Sequence, residues 1–219
     1  MNQRNSIEYD SLNIGDCNNI RDSDDPRFRH SNDDHKKLLE VLLPDLNEED
    51  IILDTNCGTG QLASLLLDYN ITFRELVLND PSPRMLGIAR ERLPDDRRIL
   101  FTAYPPHDLL FDNNRFTKII CLNAFHHYDH PSSAVRNFKN VMTPNGTLYL
   151  LDWNWSGWYR LFLSLFNRNN SDITHNMNQS EVIQLLLEHD FNIQRTGKRH
   201  FWNGHLFFIV AGFQPWRTY

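Results

Sequence analysis

ILDTNCGTGQLA, residues 52–63, places an acid and two glycines directly behind the apolar run Ile51, Ile52 and Leu53. The apolar run reads as a strand, the glycines as a loop and the residues from about 60 as a helix. Gly58 and Gly60 allow a backbone to approach a ligand with no Cβ in the way. Asn56 stands two residues after Asp54. Asparagine is among the few residues with a side chain that tolerate positive φ, so a glycine-like backbone is expected there. A nicotinamide or flavin dinucleotide is one ligand for such a loop, because Gly58, Gly60 and Ala63 satisfy the loose G-x-G-x-x-G/A pattern and Asp80 follows about 20 residues on. The loop by itself does not choose its ligand.

Outward from the loop, short apolar runs alternate with helical ones. IILD at 51–54 precedes a helix from about 60, ELVLN at 75–79 a helix from 83, and KIICL at 118–122 a helix from 131; RILFT at 98–102 and TLYLLD at 147–152 complete the series. This alternation predicts a parallel sheet with helices on both faces. Ser82 and Pro83 supply a cap and a first helical residue, and Pro144-Asn145-Gly146 predicts a turn into the fifth strand. A helix from Asn178, with Glu181 three residues on as a capping partner, leads to two strand-like runs, 191–201 and 205–213. Asn203-Gly204 lies between them and favours the type I′ turn of a tight hairpin, so the two are expected to be antiparallel neighbours at one sheet edge. A fold made of two βαβαβ halves would not be expected to end in this way.

The chain has 219 residues, 40% apolar and 12% aromatic, enough for one substantial core. A formal charge of -6 gives no global basic field, so nucleic acid is not the expected partner. The three cysteines, Cys17, Cys57 and Cys121, have no paired metal spacing, and no apolar run follows Met1–Asn5 as a secretory leader requires. A cytoplasmic protein without membrane insertion and without a metal site is expected. The apolar stretch at 161–166 is far short of the roughly 20 residues that span a bilayer. Residues 1–30 are rich in Asn, Asp, Ser and Arg and read as an arm or lid. A helix is predicted from Asp33 to Leu43, stopped by Pro44, and residues 31–219 are expected to form one domain.

ILDTNCGTGQLA, LVLNDPSPRMLGIARERL at 76–93, and then DLLFDNNRF, IICLNAFHHYDHP and VMTPNGTLYLLDW in that order resemble the class I S-adenosylmethionine-dependent methyltransferases. The resemblance covers roughly residues 33–213. It implies an α/β fold with a doubly wound, mostly parallel seven-stranded sheet whose last strand is inserted antiparallel in a C-terminal hairpin. It implies S-adenosyl-L-methionine as cofactor and methyl transfer to an oxygen, nitrogen or carbon nucleophile of a small molecule. Asp54, Asn56, Cys57, Gly58, Gly60, Asp80, Pro81, Met85 and Asn123 are the implied cofactor-binding positions. Asp80 stands where the family's acid receives the ribose hydroxyls, and Asp54 where its first-strand acid lies near the methionine ammonium.

The residues carry a physical reading of their own. Acids at the carboxyl ends of the first two predicted strands would sit at the ligand crevice of an open α/β sheet, where a carboxylate suits a ribose diol. The bland alternatives are that Asp80 caps the turn before Pro81 and that the glycines close a tight turn. Cys57 reads as a small buried residue. His126 and His127 follow the fourth strand, and a neutral imidazole can remove a proton from a hydroxyl or ammonium at pH 7. A helix-start or packing role competes with catalysis there. Asn123 is read as ordering the loop or cofactor. Residues 153–177 are a cap segment, with Trp158, Leu161, Phe162, Leu165 and Phe166 on one helical face and Trp153 and Trp155 alternating. His175 and His189 read as surface residues.

The sequence also departs from the family pattern. Asn56 replaces its first glycine, Thr117 a frequent aspartate, and Tyr104-Pro105-Pro106 its Gly-Asp-Ala, whose aspartate receives the adenine amino group. Unless His107 or Asp108 takes that role, packing alone would hold the adenine. These departures sustain a second hypothesis, a catalytically inactive cofactor-binding or scaffold subunit paired with an active homologue; a homodimer is the other assembly considered.

Overall fold

In the computed structural model the described residues are 45–155, 177–201 and 204–213. The N-terminal arm, the helix expected over 33–43, His175 and the apolar face of 158–166 lie outside them. The chain divides into two compact units, one ending at Pro105 and the other beginning at Pro106.

The first unit carries β1 (Ile51–Asp54), α1 (Gln61–Asp68), β2 (Glu75–Asn79), α2 (Pro83–Arg92) and β3 (Ile99–Thr102). β2 pairs in parallel with β1 on one side and with β3 on the other. Ile52, Leu53, Leu76, Val77 and Leu78 are all buried. Such unbroken apolar runs, without polar alternation, mark parallel strands covered on both faces. Each fully buried aliphatic side chain of this kind contributes about 1.5–3 kcal/mol. α1 starts on Gly60, whose φ is +75°; a Cβ there would stand 3.1 Å from Ala89 Cβ and 3.2 Å from Leu93 Cδ1. Glycine at this position therefore serves both the backbone and the packing of α1 near α2. At α2, Ser82 Oγ accepts the Met85 N–H at 3.4 Å and Pro83 is the first helical residue, as the sequence predicts.

The second unit carries β4 (Phe116–Leu122), a 3-10 turn (Phe125–His127), α3 (Pro131–Val141), β5 (Met142–Trp155), α4 (Gln179–Glu188), β6 (Asn192–Phe201) and β7 (Gly204–Gly212). α3 buries Ala134, Val135, Phe138 and Val141, one helical face. α4 starts with the expected capping box: Asn178 Oδ1 accepts from Ser180 and Glu181, and Glu181 Oε2 accepts the Asn178 N–H at 2.6 Å. β4 and β5 are parallel, whereas β7 is antiparallel to both β5 and β6. The seven-stranded mixed sheet has the order β3-β2-β1-β4-β5-β7-β6, the α/β class expected, with the last strand inserted antiparallel.

Two turns differ from their sequence reading. Pro144-Asn145-Gly146 lies within the extent of β5, where pairing passes from Phe116↔Met142 directly to Lys118↔Thr147. Five steps of β5 thus face two of β4, so the three residues form an irregularity inside the strand. Gly146 is required by close approach, since a Cβ would come within 2.4 Å of Met142 Cγ and 2.9 Å of the Thr143 carbonyl oxygen. At the C-terminal hairpin, Gly204 is the first residue of β7 and pairs with Phe201. The connection is therefore residues 202–203, outside the described residues, and Gly204 belongs to the ladder.

Candidate functional site

β1 ends on an acid, Asp54, and β2 is followed by one, Asp80, and the two carboxylates differ in their surroundings. Asp80 is 7% exposed, and both its oxygens accept backbone donors: Oδ2 from Gly58 N–H at 2.9 Å and Oδ1 from Ser82 N–H at 2.9 Å. It ties the glycine loop to the start of α2, so the capping reading of Asp80 holds. Asp54 is 2% exposed; the Asn56 N–H serves it, while Oδ1 has no hydrogen-bond partner among the described residues. Burial, and then the negative charge of Asp80, push its carboxyl from 3.8 up to about 8. A buried acid with an unmatched oxygen is set to receive a cation or a donor.

The glycine loop is built for close approach at one position in particular. Gly58 has φ +53°, and a Cβ added to it would meet nothing within 4 Å. Its positive φ and the open space above it leave a backbone cradle. Asn56 is not among the residues with positive φ, which corrects the expectation of a glycine-like backbone there. Gly58 and Gly60 take up the turn between them, so the position two after Asp54 needs no special conformation. Cys57 is buried as expected, its N–H bonded to the Asn79 carbonyl at 2.9 Å; burial and the charges of Asp54 and Asp80 push its thiol well up. Pro81 and Met85 are half-buried at the start of α2.

A residue that sequence reasoning passed over holds this region together. Asn79 is fully buried, and its Nδ2 donates to the Thr55 and Tyr104 carbonyls at 2.9 Å each. Its Oδ1 accepts from Thr102 Oγ1 at 3.0 Å and from Tyr104 N–H at 2.9 Å. One amide thus joins the chain after β1, the end of β2 and the chain after β3. A polar residue ending a run of three apolar ones, Leu76, Val77 and Leu78, was the available signal.

In the second unit, Asn123 follows β4 with φ +49° and donates its N–H to the Leu151 carbonyl at 2.8 Å. His126 and His127 form the end of the 3-10 turn, their ring centroids 3.9 Å apart. His126 Nδ1 is 2.6 Å from Asp152 Oδ1, and its backbone N–H donates to Asp152 Oδ2 at 3.0 Å. Burial lowers the His126 pKa, but the charge of Asp152 and the hydrogen bond to it prevail and hold it above the ordinary value. Burial and the neighbouring His126 charge hold His127 below its ordinary value. His127 is exposed, and water screens part of that effect; the ordering of the pair stands. Tyr128 Oη lies 3.4 Å from Cys121 Sγ behind the turn. Asp108 is exposed, the His107 carbonyl accepts from Asn137 Nδ2 at 2.7 Å, and His189 is not isolated, its Nε2 being 2.9 Å from Ser132 Oγ.

Residues 53–148 match the family described as "Methyltransferase domain", and the sheet order with its inserted antiparallel β7 accompanies that match. Over those residues the chain is similar to methyltransferase domains. An uncharacterized methyltransferase of Mycobacterium tuberculosis is 28% identical over 142 residues, 63% of this chain and 55% of the relative. The chain thus matches about half the length of this curated relative. Among solved structures, a Bacillus halodurans protein assigned to the methyltransferases superposes with a TM-score of 0.71 at 15% identity, covering 84% of this chain and 99% of the other. A SAM-dependent methyltransferase of Methanosarcina mazei gives a TM-score of 0.67 at 17% identity, covering 78% and 95%. Likeness at these identities establishes the methyltransferase fold.

S-adenosyl-L-methionine is the cofactor that the likeness to methyltransferase domains implies, and the first unit can be tested for its fit. The orphaned Asp54 Oδ1 suits its ammonium, and the open backbone at Gly58 suits close approach by a ligand without a Cβ in the way. The residues present fit the group. Among the described residues no cluster of three or more His, Cys, Asp or Glu is placed to hold a metal ion, and no helix is long and apolar enough to cross a membrane.

Proposed function

We propose that this chain is an S-adenosylmethionine-dependent methyltransferase acting on an oxygen, nitrogen or carbon nucleophile of a small molecule. The observation that carries the reading is the pair at the ends of β1 and β2: Asp54 with an unmatched buried oxygen, and Asp80 bonded to the glycine loop. Asp54 receives the ammonium of the methionine part, Asp80 the ribose hydroxyls, and Gly58 and Gly60 keep the loop backbone open. Asn56 and Cys57 belong to the same loop, Pro81 and Met85 join them from the start of the helix after β2 as cofactor-binding positions, and Asn123 orders the chain after β4. When bound, the sulfonium supplies an electrophilic methyl group and retains the carbon–sulfur electron pair as a neutral thioether. The enzyme's own task is to align the nucleophile, exclude water and take up a proton where the acceptor carries one.

The proposed cofactor-binding domain covers residues 31–219, with 1–30 as an arm and the cap expected over 153–177 beginning only after β5 ends at Trp155, in a cytoplasmic protein. Calorimetry of the folded chain with S-adenosyl-L-methionine tests the reading. Saturable binding is expected, together with mass-spectrometric detection of methylated products from cell extract; a folded chain without binding would refute it. Binding without any methylated product would return the scaffold reading.

A further inference from the structure

The two histidines, equivalent in the sequence, are unequal in the fold. Asp152, near the end of β5 and 2% exposed, holds His126 at two points: its Oδ2 accepts the backbone N–H at 3.0 Å, and its Oδ1 lies 2.6 Å from ring Nδ1. Oδ1 also accepts the Trp153 N–H at 2.7 Å. An ionised carboxylate only accepts, so the proton of this short contact resides on Nδ1. In the neutral ring the lone pair is then at Nε2. The His126 side chain retains 21% exposure, so the ring is not sealed from a substrate.

We infer that Asp152 is the positioning residue of His126, fixing its ring as the Nδ1–H tautomer so that Nε2 takes the proton from the acceptor. The inference rests on the methyltransferase reading. In the step, the acceptor's X–H bond breaks, its proton bonds to Nε2, and its electron pair stays on X for the new bond to carbon. The imidazolium so formed shares its Nδ1 proton with Asp152 and later loses the Nε2 proton to water. Among the described residues the titratable groups facing the ring are Asp152 from β5 and His127 from its own turn. His127 stays neutral while His126 charges, so it does not oppose the transfer. An aspartate that fixes a histidine tautomer and stabilises its cation is a device that recurs on unrelated folds.

Long-range 1H–15N NMR of the full chain labelled with 15N-histidine tests the assignment, with His127→Ala to identify the signals. In the unsubstituted chain His126 is expected as the Nδ1–H tautomer above its titration midpoint. Asp152→Asn is expected to weaken its proton affinity at least tenfold, moving that midpoint down by one pH unit or more. An Nε2–H tautomer, or a midpoint unmoved in a folded Asp152→Asn chain, overturns the inference. The tautomer is read without any variant, so a failure of Asp152→Asn to fold leaves the test intact. Diethyl pyrocarbonate, which acylates unprotonated imidazole nitrogen, adds a second reading by peptide mass spectrometry. His126 is expected to react at pH 8 and more slowly below its midpoint, and no reaction in the folded chain counts against the inference. Calorimetry with S-adenosyl-L-methionine separates the two readings, since loss of cofactor binding sinks the methyltransferase proposal while the tautomer result stands alone.

Discussion

The Gly58 N–H donates to Asp80 Oδ2 at 2.9 Å, so the acid that follows β2 shapes the loop that follows β1. Asp80→Ala is expected to act twice. It removes charge-assisted bonds of about 1.5–3 kcal/mol, hence at least tenfold in S-adenosyl-L-methionine affinity. It also leaves the Gly58 and Ser82 N–H groups without their acceptor, costing about 1–3 kcal/mol of stability. Calorimetry and urea unfolding measure the two effects separately; an unchanged dissociation constant refutes the ribose assignment.

Asp54 gives the free protein a pH dependence opposite to that of a carboxylate held ionised by a paired cation. Its folded pKa, about 8, stands above the usual 3.8, so the native state keeps a proton that the unfolded chain releases. The stability this group contributes is therefore fully present below about pH 4 and declines as pH rises toward 8, by up to about 1.4 kcal/mol per unit. Asp54→Asn should flatten this slope and be the more stable protein at pH 8. Urea midpoints taken across that range for both chains provide the check, and parallel profiles would contradict it.

The same carboxyl should couple cofactor binding to proton release. An ammonium placed beside Asp54 favours its ionised form, so binding at pH 7 is expected to release up to about one proton, and affinity should rise with pH up to about 8. Calorimetry in two buffers of different ionisation heat counts the proton. Equal apparent enthalpies in both buffers would exclude the linkage.

Asn79 should be among the least replaceable residues of the first unit. Asn79→Leu conserves volume approximately but leaves the Thr55 carbonyl, the Tyr104 N–H and the Thr102 hydroxyl without their side-chain partner. A loss of about 3 kcal/mol is expected from such buried, newly unmet groups. Equilibrium unfolding measures it, and a loss below about 1 kcal/mol would show that water takes over these bonds.

Asn123 occupies the left-handed region with φ +49° immediately after β4. Asn123→Gly should be tolerated, whereas Asn123→Ala should fall below the glycine variant by about 1 kcal/mol, the cost of a Cβ at positive φ. Thermal or urea unfolding of the pair reports the difference directly.

Much of the first unit was legible from short stretches. Ile52–Leu53 and Leu76–Leu78 carry their burial in composition, Ser82-Pro83 carries its helix start, as Asn178 with Glu181 does in the second unit, and Gly60 carries its positive φ. These are local matters, settled within one or two turns of chain. Asn56 was misread because loop conformation is shared: once Gly58 and Gly60 accept positive φ, the neighbouring position has no need of it. Gly204 was misread because a strong turn pair loses to the β7 ladder register, which places it opposite Phe201.

The amino-acid sequence by itself determined the order of strands and helices, the glycine loop and the acids at the ends of β1 and β2, since each follows from backbone preference and hydrophobic pattern over a few residues. Tertiary structure alone joined Gly58 to Asp80, Asn79 to Thr55 and His126 to Asp152, across 22, 24 and 26 positions of chain. No local preference encodes such bonds. They exist because parallel strands return to the same end of the sheet after each helix, bringing the residues behind their carboxyl ends within hydrogen-bonding reach.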